Sequence, residues 1–160
     1  IKLEEEMHIV LFQPEIPGNT GNIARLCAAT GIHLHLVRPL GFSVDDKYLK
    51  RAGLDYWHLV DVHYYDDIRE VFEKYKDHSK FFLTTKAHKS YVDVKYDEDS
   101  LLIFGRETKG LPDWIHEEFA EDCVRIPMVD EARCLNLSNS AAIVAYEALR
   151  QATGFKGFKV

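Results

Sequence analysis

The chain is short of cysteine and of positive charge, and each shortage removes a class of protein. Its three cysteines, Cys27, Cys123 and Cys134, are an odd number with no CxxC pair. That excludes a disulfide framework and a zinc ribbon, and a reducing cytoplasm is the expected location. Lys and Arg number 20 against 26 Asp and Glu, a net charge of −6. This is the wrong sign for a non-specific nucleic-acid coat, although a local basic groove stays open. No apolar run approaches the ~18 residues of a membrane span. The opening Ile-Lys-Leu-Glu-Glu-Glu has no basic-then-apolar pattern, so a secretory leader is not expected.

What is present is ordinary globular composition, 46% hydrophobic and 29% charged, which excludes global disorder. At 160 residues one domain is expected, over 7–155, with residues 1–6 an extension ahead of Met7 and 156–160 a tail. Short apolar segments alternate with helical patterns. Strands are predicted at 8–12, 33–37, 61–65, 80–85, 101–105 and 123–127. Helices are predicted at 19–30, 45–52 (Asp45 as cap, Gly53 as stop), 66–76, 112–119 and 138–153. In the last helix Ala141, Val144, Ala145, Ala148, Leu149 and Ala152 form one stripe. Ile143 and Tyr146 fall on a second face, which a partner subunit is placed to cover. The alternation implies an α/β fold, a mostly parallel sheet with helices on both faces, whose ligands bind where loops leave the carboxyl ends of strands.

Two common nucleotide signatures are missing. No GxGxxG follows the first strand, strand two ends in Val37-Arg38-Pro39 without an acidic residue, and no GxxxxGK[ST] occurs. Eight histidines raise a metal reading. His33 and His35 share one strand face, but no HExxH and no third clustered ligand stands near them in sequence, so no metal is expected. Cys134 has no activating base nearby in sequence and is not expected to act as a nucleophile.

Four loops remain. Pro14 to Arg25 carries Gly18, Asn19, Gly21 and Asn22 into a helix start, either an anion site on free backbone N–H groups or a capped turn. Thr84-Thr-Lys86-Ala-His88-Lys89 is locally basic. Gly105-Arg-Glu107-Thr-Lys-Gly110 sets a carboxylate between cations and two permissive glycines. Arg125 to Asn139 is rich in polar groups, with Ser138 or Asn139 as the expected helix cap.

Three segments in order, Asn19-x-Gly21-x-x-x-Arg25, Phe104-Gly-x-Glu107-x-x-Gly110-Leu111, and Ile126-Pro127-Met128 with Leu135-Asn136-Leu137-Ser138, resemble the motifs of the SPOUT-superfamily RNA 2′-O-methyltransferases. The resemblance runs from about Met7 to Phe155. The short length, Pro14-Glu-Ile-Pro17 and Arg51-Ala-Gly-Leu-Asp-Tyr56 look like the TrmL (YibK-type) group. The resemblance implies a C-terminal trefoil knot and methyl transfer from S-adenosylmethionine, without a metal, to the ribose of the wobble nucleotide of leucine tRNAs. It implies a homodimer acting on tRNA. Another RNA site, or a knotted RNA-binding module without catalysis, are the alternatives. Carried over, the cofactor positions are Leu83, Gly105, Ile126, Cys134 and Leu135. Arg25 and Asn19 are the catalytic positions, Lys86 and Arg133 bind substrate, and Glu107 and Asn136 orient. Cys134 stands where many relatives carry serine, a change that a backbone contact survives.

Overall fold

Among the described residues of this computed structural model, 6–132 and 134–160, the chain forms six strands, five α-helices and one 3-10 turn (Ala120–Asp122), with helices between most successive strands. In order they are β1 (His8–Phe12), α1 (Pro17–Thr30), β2 (His33–Val37), α2 (Lys47–Trp57), β3 (Val62–Tyr65), α3 (Ile68–Lys74), β4 (Lys80–Leu83), β5 (Leu101–Phe104), α4 (Asp113–Glu118), β6 (Cys123–Val124) and α5 (Leu137–Thr153). The strands pair in the order β3-β2-β1-β5-β4-β6, and every pairing is parallel. This is the expected α/β sheet with helices on both faces.

Strand alternation divides the core into two layers. Ile9, Leu11, Leu34, Leu36, Leu102 and Phe104 face one way, against Ile23, Ala24 and Cys27 of α1 and Ala141, Val144, Ala145 and Ala148 of α5. Val10, Phe12, Val37, Phe82, Leu101 and Ile103 face the other, against Ile68 and Val71 of α3 and Ile115 of α4. Central strands β1 and β5 are buried on both faces, which explains their unbroken apolar runs.

Several boundaries differ from the sequence reading. Helix α1 begins at Pro17, at the position where a missing N–H costs nothing. Helix α2 runs through Gly53 to Trp57 instead of stopping. A mid-helix glycine costs only about 1 kcal/mol, too little to end a helix held by packing. Strand β6 is two residues long, and Arg125 adds only an isolated bridge to Ser90. Helix α5 is capped by Asn136, not by Ser138 or Asn139: its side chain accepts from both their N–H groups, at 2.9 and 3.3 Å. Arg133 and residues 1–5 lie outside the described residues.

The segment between β4 and β5, residues 84–100, crosses the same face as α5. Tyr91 N–H donates to the Arg125 carbonyl (2.8 Å) and Arg125 N–H to the Lys89 carbonyl (2.9 Å). Tyr96 N–H donates to the Gln151 side chain in α5 (3.2 Å). The chain therefore leaves the sheet edge at β6, passes this connection and returns to pack on β5 and α1. Ordinary α/β topologies avoid such crossed connections; a threaded C-terminus requires one.

Candidate active site

A cleft of about 470 Å³ opens at the carboxyl ends of β4 and β5, where a parallel sheet presents its loops. Three loops meet there: 83–86, 104–111 and 126–137. All five expected cofactor positions, Leu83, Gly105, Ile126, Cys134 and Leu135, line this one cavity. Asn19, Lys86, Glu107 and Asn136 line it too.

The middle loop is held in shape by its two glycines. Arg106 and Gly110 exchange backbone hydrogen bonds (3.1 and 2.9 Å), and Gly110 takes a φ of +64°. A Cβ on Gly105 would stand 2.3 Å from the Gly110 carbonyl carbon and 2.4 Å from Leu111 N. No side chain fits there. The Arg106 guanidinium is spent inside the loop, donating from Nε to the Gly110 carbonyl (3.0 Å) over the Phe12 ring.

Two carboxylates tie this loop reciprocally to the β1–α1 connection, residues 13–16. Glu107 accepts from Glu15 N–H (2.8 Å) and Ile16 N–H (2.9 Å), and from Asn19 Nδ2 (3.3 Å). Glu15 accepts in return from Thr108 N–H (2.9 Å) and Thr108 Oγ1 (2.8 Å). The Thr108 bonds, backbone first, hold the Glu15 carboxyl below its ordinary range, with help from Arg106 and Lys109. Gly41 makes room on the far side: a Cβ there would lie 2.8 Å from Glu15 Cα and O. Glu107 thus holds the start of α1 against the middle loop through three hydrogen bonds. The partnership of Glu15 and Thr108 was not foreseen, because 93 residues separate them.

The first loop of the cleft is braced by a second unforeseen pair. His116 Nδ1 faces the Pro112 carbonyl (3.2 Å), which leaves Nε2 to accept from Thr84 Oγ1 (2.8 Å). Thr84 Oγ1 in turn accepts from Lys86 N–H (3.2 Å). The Lys86 ammonium lies 3.7 Å from Asp113. Of the thiols, Cys27 and Cys123 are buried and pushed up by desolvation, whereas Cys134 is exposed at the cleft.

Arg25 is the expected residue that this arrangement does not bring in. It lies six residues beyond Asn19 on α1, about 9 Å along the axis and on another face. Its guanidinium sits 5.0 Å from the ring centroid of Tyr56 in α2, exposed and outside the cleft lining.

The family description "SpoU rRNA Methylase family" matches residues 6–146, which contain all three loops. The chain belongs to this family. Within the SpoU family it is similar to a Bacillus subtilis protein provisionally named tRNA (cytidine(34)-2′-O)-methyltransferase, 58% identical over 149 residues, or 91% of this chain and 92% of that one. An Escherichia coli relative named tRNA (cytidine(34)-2′-O)-methyltransferase is 48% identical, over 94% of this chain and 96% of its own. Among solved structures, one described as giving insight into 2-OH methylation of C/U34 on tRNA superposes with a TM-score of 0.88. It is 42% identical and covers 93% of this chain and 97% of its own. The SpoU-family placement accounts for the crossed connections and the three-loop cleft, features that no GxGxxG site would need.

Proposed function

We propose that this protein transfers a methyl group from S-adenosylmethionine to the ribose 2′-hydroxyl of the wobble nucleotide, position 34, of leucine tRNAs, with cytidine or a modified uridine as the base. The observation that carries the reading is the convergence of Leu83, Gly105, Ile126, Cys134 and Leu135 on one cavity clasped by Glu15 and Glu107. Relatives named for 2′-O-methylation of cytidine 34 in tRNA match nearly the whole chain.

The cavity suits the cofactor. Its volume lies within the few hundred Å³ of small-molecule sites. Phe104, Leu111, Ile126 and Leu137 supply apolar walls for a purine, and the loop backbones and Asn136 supply polar groups for ribose and carboxylate. A Sinorhizobium meliloti rRNA methyltransferase described as AdoMet-bound shares the fold at a TM-score of 0.80 and 25% identity. It covers 92% of this chain and 57% of its own. When bound, the cofactor supplies a sulfonium-activated methyl group.

The chain's task is then to place the 2′-oxygen and to accommodate its proton. An arginine holds its proton to pH above ~12 and is a poor base. Arg25 therefore binds the phosphate beside the reacting ribose, and a phosphate oxygen or water takes the proton. Its exposed position outside the cavity suits a contact to RNA rather than to cofactor. Asn19, held by Glu107, orients the ribose. Lys86 and Arg133 bind the tRNA backbone.

The protein works in the cytoplasm as a homodimer, in which the partner covers Ile143 and Tyr146, 38% and 42% exposed on α5. Incubation with labelled cofactor and total tRNA, followed by nucleoside analysis, tests the reaction. A 2′-O-methylated nucleoside at position 34 is the expected product. Label found only at another tRNA position, or none at all, refutes it.

A further inference from the structure

The sheet end opposite the cleft carries a group of side chains that methyl transfer does not use. Parallel pairing sets His8 beside His33 and His35 beside His63. Asp61, whose carbonyl accepts from Leu34 N–H, extends β3 by one step next to His33. Alternation points all five side chains to the same face, at the amino ends of the strands. His8 and His35 are the buried pair, joined Nδ1 to Nε2 at 2.9 Å, and His35 Nδ1 meets the Tyr65 hydroxyl at 2.9 Å. Burial pushes them down to about 3 and about 2, so both rings are neutral. They form a fixed platform: the His63 ring stacks on His35 with 5.1 Å between centroids and 16° between planes.

On that platform His33, Asp61 and His63 converge. Asp61 Oδ2 lies 2.6 Å from His33 Nδ1 and 2.9 Å from His63 Nε2. One ligand atom from each residue falls within 4.8 Å of the others. The two partners that sequence spacing did not supply are thus brought by strand pairing, since Asp61 and His63 stand 28 or more residues from His33. We propose that His33, Asp61 and His63 bind one borderline divalent transition-metal ion, with Zn²⁺ as the type.

Three features favour a dication here. Two imidazoles and a carboxylate are a donor set that zinc takes with an open position for water. Tetrahedral ligands around zinc stand about 3.3 Å apart, so each nitrogen needs to withdraw from Asp61 Oδ2 by less than an ångström. Both nitrogens of His33 face carboxylate oxygens, Nδ1 on Asp61 and Nε2 on Glu6. With a metal on Nδ1, the Nε2 proton goes to Glu6, the carboxylate–histidine–metal relay that orients bound imidazoles. The three groups are partly exposed, so an ion can enter. Strand β3 is an edge strand of the sheet, and the ion would fasten it to β2.

The test is titration of tag-free, chelator-stripped full chain with Zn²⁺ alone by calorimetry, and with Co²⁺ by visible absorption. One ion per chain is expected, with a Co²⁺ d–d band and a higher unfolding temperature in Zn²⁺. His63→Ala and the isosteric Asp61→Asn should each abolish all three signals. Glu6→Gln should weaken binding about tenfold through the lost relay, and His88→Ala should leave it unchanged. Circular dichroism of each variant confirms the fold. Absence of binding in the wild type overturns the site and leaves a proton shared between carboxylates and imidazoles. Wild-type affinity in folded Asp61→Asn also overturns it. Neither result bears on methyl transfer.

Discussion

Glu107 and Glu15 are both acceptors of backbone N–H groups, and each belongs to the loop that the other closes. Glu107→Gln keeps the shape and loses the charge-assisted bonds. Cofactor affinity should fall about tenfold, as read by calorimetry with S-adenosylmethionine. The Glu15 carboxyl is depressed in the folded chain by Thr108. The sign follows from linkage: its stabilisation is present above the ordinary carboxyl range near pH 4.5 and is lost as pH falls through the folded value. Urea midpoints of wild type and Glu15→Gln should therefore differ at pH 7 and converge toward pH 3. A gap that persists at acid pH would show that shape, not charge, matters at this position. Arg25→Ala should abolish turnover while leaving cofactor affinity nearly unchanged, because its guanidinium stands outside the cavity. Gly105→Ala should do the reverse of a surface change: a methyl group pressed on the Gly110 and Leu111 backbone costs about 1–3 kcal/mol and deforms the cofactor loop.

At the scale of elements, α5 is the one whose chemistry and packing meet. Its stripe is buried from Ala141 to Leu149 against α1 and the sheet, with Ala152 partly buried at its end, and its first turn borders the cleft. Asn136→Ala removes the cap and should cost about 1 kcal/mol in thermal unfolding. The alternation of strands and helices, and the stripe of α5, were legible because periodicity is a local property of the chain. The loops were legible as chemistry because glycines and a central carboxylate need a reason. The ends were less so. Gly53 signals a stop by local rules, but packing of α2 on α1 carries the helix past it, and Asn136 outcompetes Ser138 as cap by two residues. Sequence spacing offered no third ligand near His33, and the register of β2 on β3 supplies two.

For the whole molecule, a net charge of −6 must be reconciled with a polyanionic substrate. Several cations are already engaged: Arg150 with Glu147 at 3.0 Å, Lys89 with the Glu121 carbonyl at 2.9 Å, Arg106 within its own loop. The proposed binding strip would then be narrow, built around Arg25, Lys109 and Lys86, whose ammonium the RNA would share with Asp113, 3.7 Å away. tRNA affinity should fall steeply as salt rises, and Lys86→Ala should flatten the slope of log K against log salt by about one. A flat response in the wild type would contradict such a strip.

Local pattern by itself determined the α/β class, the helices on both faces, the loops that bear chemistry and the family resemblance, because these rest on residues within a few turns of one another. Only the tertiary structure decided that Glu15 clasps Thr108, that Arg25 stands outside the cavity, and that three histidine-edge ligands meet at the far end of the sheet. Those outcomes depend on strand order and register, which bring together residues that are 28 to 93 positions apart. Nothing in the spacing of a motif encodes which strand lies beside which.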